Sequence, residues 1–188
     1  MTFAIAGSPL SGEKIRLAPF SRQHLQDPAY IGWLRDAAVV RTLNLPSYLE
    51  KPVSFAEISA YCERVMSSAT DQFYAIELHA PALFAGTLKV AGYNAYTATA
   101  DIGIMIGRRD LWGQGLASDA VRTICRDLFG RQGLRRLTAG SMAINAGMIR
   151  VFEKLGFRRE GCFRRHDRLG DEYIDHIHLG CFADEFVG

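Results

Sequence analysis

The chain has little charge of either sign in excess: 22 lysines and arginines stand against 20 aspartates and glutamates, a formal net charge of +2. So small a surplus points neither to nucleic acid nor to a membrane surface as partner, although it leaves room for a local basic pocket. Cysteine is scarce and scattered. Cys62, Cys125, Cys162 and Cys181 include no two at metal-ligand spacing, and three fall in apolar periodic stretches. That pattern predicts reduced, mostly buried thiols in a cytoplasmic protein. No metal site is expected: His176 and His178 share one strand face but have no clear third ligand. No run approaches the roughly 18 continuous apolar residues of a membrane span. The opening MTFAIAGSPLSGEK has neither a basic start nor a long apolar core, so no signal peptide is expected. Repeats, low-complexity tracts and linkers are missing too.

What is present is ordinary for a globular chain: 188 residues, 48% apolar and 22% charged. This length suits one domain, residues 1–188, that buries about two thirds of the surface its unfolded form exposes. Residues 1–12 read as a loose N-terminal segment. A strand is expected over Lys14–Phe20, then a helix over Asp27–Arg35 whose apolar stripe is Tyr30, Trp33, Leu34 and Ala37. A loop, Leu43–Pro52, leads to a helix opened by a capping box of Ser54 and Glu57.

The hydrophobic period then changes from helical to alternating. Phe73–Leu78, Leu83–Ala91 and Thr97–Ile106 read as strands. In the last, Ala98, Ala100, Ile102, Ile104 and Ile106 share one face, and Thr99, Asp101, Gly103 and Met105 the other. A helix over Gly115–Gly130 would bury Leu116, Ala120, Ile124 and Leu128. Strand Leu134–Ser141, helix Ala146–Leu155 and strands Arg158–His166 and Glu172–Phe182 complete the chain. The order β-α-α-β-β-β-α-β-α-β-β predicts a mixed α/β sheet, with a meander first and parallel crossovers after it.

The stretch Arg109-Asp110-Leu111-Trp112-Gly113-Gln114-Gly115-Leu116-Ala117 lies between a strand and a helix. Its glycines allow a tight turn and a close ligand approach, and the helix start offers free N–H groups to a phosphate, with Arg108 and Arg109 nearby. Gly-x-Gly alone also fits a plain turn. The dinucleotide fingerprint lacks its third glycine, since Ser118 stands there, and the phosphate-loop Lys-Ser/Thr pair is missing. Further on, Asn145 opens a helix that Glu153-Lys154-Leu155-Gly156-Phe157 closes, with Gly156 as a left-handed cap.

Taken together, ADIGIMIGRRDLWGQGLASDA (100–120), NAGMIRVFEKLGFRREG (145–161) and GDEYIDHIHL (170–179) resemble the GNAT superfamily of acetyltransferases, in its RimJ/RimL-like branch. Weaker similarity reaches back to RLAPF and WLRDAAVVRTL, so the resemblance spans nearly the whole chain. It implies a sheet split between its fourth and fifth strands, here Thr97–Ile106 and Leu134–Ser141, with acetyl-CoA as cosubstrate in the split. By position, the backbone of Ile104, Met105 and Ile106 would pair with the pantetheine arm. The N–H groups of Trp112, Gly113, Gln114, Gly115, Leu116 and Ala117 would hold the diphosphate, with Arg109 beside them. Asn145 would hydrogen-bond the pantetheine, Phe152 would flank the cofactor, and Lys154 would meet its nucleotide end.

The implied chemistry is direct attack of a neutral primary amine on the thioester, with a proton taken up by a carboxylate or a water chain. Asp101 leads as the base; Glu77, His166 and Asp175 are weaker candidates. Tyr173 and Arg164 would shape the acceptor pocket. Many relatives carry a serine or tyrosine, three and seven residues after the helix-opening Asn, to protonate the thiolate. Here those places hold Met148 and Phe152, in an apolar stripe with Val151 and Leu155 that reads as core. Such relatives acetylate protein N-terminal amines, nucleotide-linked amino sugars, polyamines or antibiotics, and homodimers are common among them. Two other readings stay open: a CoA-binding sensor or interaction module with little turnover, and a transferase using the glycine turn for ATP or NAD.

Overall fold

Eight strands share one sheet in the computed structural model, which describes residues 9–43, 45 and 47–188. They are β1 (Leu10–Ser11), β2 (Ile15–Pro19), β3 (Gln72–Leu78), β4 (Leu83–Asn94), β5 (Thr99–Ile106), β6 (Arg136–Met142), β7 (Arg158–Leu169) and β8 (Glu172–Phe182), in the spatial order β1-β2-β3-β4-β5-β6-β8-β7. Every neighbouring pair is antiparallel except β5 and β6. The expected mixed α/β sheet is therefore what the chain forms.

Leu10 and Ser11 correct the reading of a loose start, because they pair with Leu17 and Arg16. The remainder of that segment, up to residue 8, lies outside the described residues.

Helices cover both faces. Before β3 come α1 (Arg22–Gln26), α2 (Pro28–Trp33), α3 (Ala37–Val40), α4 (Ser47–Glu50) and α5 (Phe55–Met66). The single helix expected at 27–35 is thus one of three short ones, and part of the expected loop is helical. Chain chemistry explains the breaks. Pro28 lacks the N–H that would continue α1, and Asp27 caps the helix that Pro28 starts, accepting from the Ala29 N–H at 2.9 Å. Asp36 does the same for α3 through Ala38. The predicted box at α5 forms, with the Ser54 N–H donating to Glu57 at 2.8 Å and the Glu57 N–H to Ser54 Oγ at 3.2 Å. Tyr30, Trp33, Val39, Ile58, Cys62 and Val65 of this layer pack on Phe73, Ala75 and Met105 of the sheet.

On the other face lie α6 (Leu116–Arg126), which runs into a π-turn at Asp127–Arg131, and α7 (Ala146–Lys154). Leu116, Ala120, Ile124 and Leu128 are buried there as the periodicity predicts, against Tyr74, Leu88, Ile102 and Leu137. Strand β5 keeps the expected alternation, with one exception. Ala98 sits in the preceding turn at φ 51°, so the strand begins at Thr99. The thiols of Cys62, Cys125 and Cys181 are buried and free, and Cys162 is free and exposed.

Candidate active site

The parallel pair β5/β6 holds the key geometry. It is registered only from Thr99–Arg136 to Asp101–Thr138, while β5 runs on to Ile106 and β6 to Met142. Beyond Asp101 the two strands part, and the sheet opens into a cleft.

Two cavities occupy that opening. The first, about 360 Å³, is lined by Tyr30, Tyr48, Tyr61 and Phe73 from the helical layer and β3, and by Lys89, Gly103, Gly140 and Ser141 from the sheet. The second, about 400 Å³, is lined by Trp112, Gly113, Gly115, Leu116, Ala117 and Lys154, together with Ile106 and Val151. Thr42, Leu43, Ile104, Met105, Asn145 and Met148 line both, so the cavities meet there.

The backbone of β5 explains which groups face the opening. The Ala98 carbonyl accepts from Arg135 and Arg136, and Thr138 Oγ1 reaches the Ala100 carbonyl at 3.5 Å. Alternation then turns the N–H and C=O groups of Ile102, Ile104 and Ile106 to that same side. Met105 departs from the expectation of a backbone partner. Its carbonyl faces β4, where a Cβ on Gly86 would overlap it. The Met105 side chain, not its backbone, reaches the cleft. The Ile106 carbonyl is already engaged, accepting the Trp112 indole N–H at 2.8 Å. Ile104 is left as the central residue with its backbone groups turned to the cleft.

The glycine turn takes the predicted shape. Gly113 and Gly115 have φ of 74° and 83°, and Gly115 stands as the N-cap of α6, with no side chain over the first turn. Lys14 Nζ donates to the Gln114 carbonyl at 2.8 Å, tying the turn to the start of β2. Two side chains of this stretch point elsewhere. Gln114 folds its amide back onto the Asp110 carbonyl, and Arg109 reaches Asp36 at 3.5 Å without lining either cavity. Partners already within hydrogen-bonding reach outcompete an open cavity for both side chains.

Helix α7 is only partly the core stripe expected. Phe152 and Leu155 are buried with Ile149, but Met148 and Val151 are half-buried and border the cavities, because this helix flanks the opening. Phe152 lines the first cavity rather than the one beside the glycine turn. Asn145 accepts from the Met148 N–H at 3.3 Å as N-cap and donates to the Thr42 carbonyl at 3.4 Å.

Of the candidate bases, Asp101 lies at the point where pairing ends and accepts from Thr138 Oγ1 at 2.7 Å. It meets solvent between the flanking strands. Partial desolvation there raises its carboxyl above the ordinary range, against the lowering pull of the Thr138 hydroxyl, Lys89, His178 and His176. Glu77 is held by Arg16 at 2.5 Å and His24 at 3.0 Å, away from the cleft. Asp175 accepts from the Arg165 N–H, supporting a bulge at φ 54°. His166 stands over His176, and none of His166, Tyr173 and Arg164 lines either of these cavities. Among the described residues, no group of three His, Cys, Asp or Glu is arranged to hold a metal, and no helix is long and apolar enough to cross a membrane.

Several residues at this site carry no pattern visible in the sequence. Lys89 projects from β4 beside the cleft. Asp167 and His176 form a buried pair at 2.7 Å whose ring Nε2 faces Gly140. Thr42 and Leu43 arrive from a distant turn. Only their spatial neighbours give them meaning.

Comparison with known proteins agrees with this geometry. Residues 14–158 match the model of the acetyltransferase (GNAT) domain, most of the chain. The chain belongs to the GNAT acetyltransferase family. Acetyltransferases of this family use acetyl-CoA as acetyl donor. Its curated relatives include the probable N-acetyltransferase YjcK of Bacillus subtilis (strain 168), 38% identical over 64 residues, or 34% of this chain and 35% of that protein. The uncharacterized N-acetyltransferase p20 of Bacillus licheniformis is 30% identical over 89 residues, 47% of this chain and 49% of that one. These matches span half or less of the relatives' length. Among solved structures, RimL, a ribosomal α-N-protein acetyltransferase in complex with coenzyme A, superposes with a TM-score of 0.80 at 19% identity, covering 95% of this chain and 99% of that one. The spermidine N-acetyltransferase of Vibrio cholerae, in complex with CoA and spermine, gives 0.79 at 16% identity, over 92% and 97%. This family member therefore has the fold of both.

Proposed function

We propose that the chain is an acetyl-CoA-dependent N-acetyltransferase acting on a primary amine, with acetyl-CoA in the second cavity and the acceptor in the first. One observation carries the reading: the two cavities meet at Ile104, Met105, Asn145 and Met148, where the strands part. A thioester and an amine held there would face one another, which removes much of the entropic barrier.

The residues suit the donor. Unblocked first-turn N–H groups at Leu116 and Ala117 favour a diphosphate, and Lys154 adds a cation at the far end. The Ile104 backbone offers strand-like pairing to an amide-bearing arm. When bound, acetyl-CoA supplies the activated acetyl group. The Ile104 N–H donates to its carbonyl oxygen as negative charge develops. Asp101 receives the amine proton through water, because it lies at the base of the cleft rather than on a cavity wall. Met148 and Phe152 offer no proton to the departing thiolate, so water does. Met148→Ser should accordingly raise turnover by less than about tenfold; a hundredfold gain would show that the missing hydroxyl limits the reaction.

Gly115→Val tests the donor half. Its φ of 83° strains any β-branched residue, and the side chain would stand over the turn. We expect the KM for acetyl-CoA to rise at least tenfold, and unchanged CoA affinity by calorimetry would remove the assignment.

The acceptor class includes small amines, as the spermidine enzyme's name indicates, and protein N-termini, as that of RimL does; nucleotide-linked amino sugars are a third option. Thiol release from acetyl-CoA across a panel of these amines is the direct test. Release that depends on an amine supports the transferase. Tight CoA binding with silence across the panel supports a binding module instead, and absence of CoA binding overturns both.

A further inference from the structure

The first cavity has a chemistry of its own. Its floor is made where β5 and β6 part. Two residues beyond the last registered pair, Asp101–Thr138, come Gly103 on β5 and Gly140 on β6, and both line this cavity. A Cβ on Gly103 would meet nothing within 4 Å, so the space above it is open. Lys89 is registered beside Gly103 on one side and beside Phe73 on the other, and all three lie on the same sheet face.

Lys89 is the one charged side chain among the described residues that line this cavity. The rest of the wall is mostly aromatic and aliphatic, with the hydroxyls of Thr42, Thr87 and Ser141 and the Asn145 amide. Burial raises the phenol of Tyr30, and also that of Tyr48, so both remain neutral donors. The Lys89 ammonium stands 5.7 Å from the centre of the Tyr61 ring and enters no ion pair among the described residues. Asp101 feels its charge but is hydrogen-bonded to Thr138. Lys89 is half-buried, and an ammonium in a mostly apolar recess is stabilised by an anion brought to it.

We infer that this cavity takes a small primary amine with an apolar or aromatic body and one carboxylate, an α-amino-acid-like acceptor, with Lys89 as the partner of the carboxylate. The inference rests on the transferase reading and names its acceptor class. The apolar body fits against Tyr61 and Phe73, and the amine end extends past Gly103 to the junction at Ile104. A single ammonium matches a single carboxylate; a phosphate monoester would leave charge uncompensated. Lys89 also favours the neutral form of a nearby amine, the form that attacks. Several cationic centres, as in a polyamine, meet repulsion and no carboxylate on this wall. A peptide N-terminus lacks the adjacent carboxylate altogether.

The experiment compares phenylalanine, 2-phenylethylamine, spermidine and a phenylalanine-initiated peptide as acceptors, for the wild type, Lys89→Met and Lys89→Arg. Direct titration of phenylalanine into the CoA complex is run alongside. The wild type should favour phenylalanine over 2-phenylethylamine by about ten- to a hundredfold in kcat/KM, the range expected for one charged hydrogen bond. Lys89→Met should collapse that ratio to near one, mostly through KM, and Lys89→Arg should restore most of it. Equal use of the two amines, preference for spermidine or the peptide, or a Lys89→Met loss that spares the ratio would each overturn the inference. If no amine releases thiol, titration separates the two failures. Phenylalanine binding weakened at least tenfold by Lys89→Met keeps the site while the transferase reading falls, and no phenylalanine binding removes the site as well.

Discussion

Asp101→Asn should lower kcat/KM by about a hundredfold or more, with acetyl-CoA binding intact and a melting temperature that rises rather than falls. The two effects share one cause. Partial desolvation raises the Asp101 carboxyl above its ordinary range. A carboxyl whose folded-state value lies above its unfolded one adds stability only where it is protonated in the fold. That contribution is complete below the unfolded value and is lost as pH rises through the raised folded value. At neutral pH the carboxylate therefore opposes folding slightly, and a neutral amide relieves that cost. Asparagine still accepts from the Thr138 hydroxyl, now 2.7 Å from the carboxylate, so the local geometry should survive. What disappears is the capacity to take a proton. The checks are thiol release, CoA calorimetry and thermal melting on one preparation. Full activity would remove Asp101 as the base, and lost activity with a lowered melting temperature would mark a structural role instead.

Asp119→Ala should lower the melting temperature by about 10 °C and weaken acetyl-CoA binding together. Asp119 lies in the first turn of α6, only 4% exposed. Its carboxylate accepts from three successive backbone N–H groups: Glu13 at 3.1 Å, Lys14 at 2.7 Å and Ile15 at 3.2 Å. Alanine leaves these donors without an acceptor in a partly buried place, at about 1–3 kcal/mol for each that water cannot reach. A total of about 3–4 kcal/mol corresponds to roughly 10 °C for a domain of this size. The binding effect follows from position. Lys14 holds the Gln114 carbonyl, so a loosened 13–15 segment releases the glycine turn as well. A melting temperature within about 2 °C of the wild type would show that water satisfies the three donors at little cost.

How far the sequence reached can be judged residue by residue. The apolar periods of α6 and β5, the box at Ser54 and Glu57, and the glycines at 113 and 115 were legible because each depends on neighbours within a few positions. Legibility ended wherever a residue's role depends on a partner far along the chain. Nothing local marks Asp119 as the acceptor for residues 13–15, about a hundred positions away. Nothing local turns Arg109 towards Asp36, or commits the Ile106 carbonyl to Trp112.

By itself, then, the sequence determined the order of elements from β3 onward, the mixed sheet, the glycine-capped helix and the family to which the chain belongs. The elements follow from backbone propensities and short-range periodicity, and the family from the resemblance of its motifs. Tertiary structure alone decided where β5 and β6 part, which backbone groups of β5 face the opening, and that Lys89 borders the first cavity while the side chains of Arg109 and Gln114 turn away. Those outcomes depend on strand register and on competition among distant partners, and in a folded chain both are settled in space rather than along the sequence.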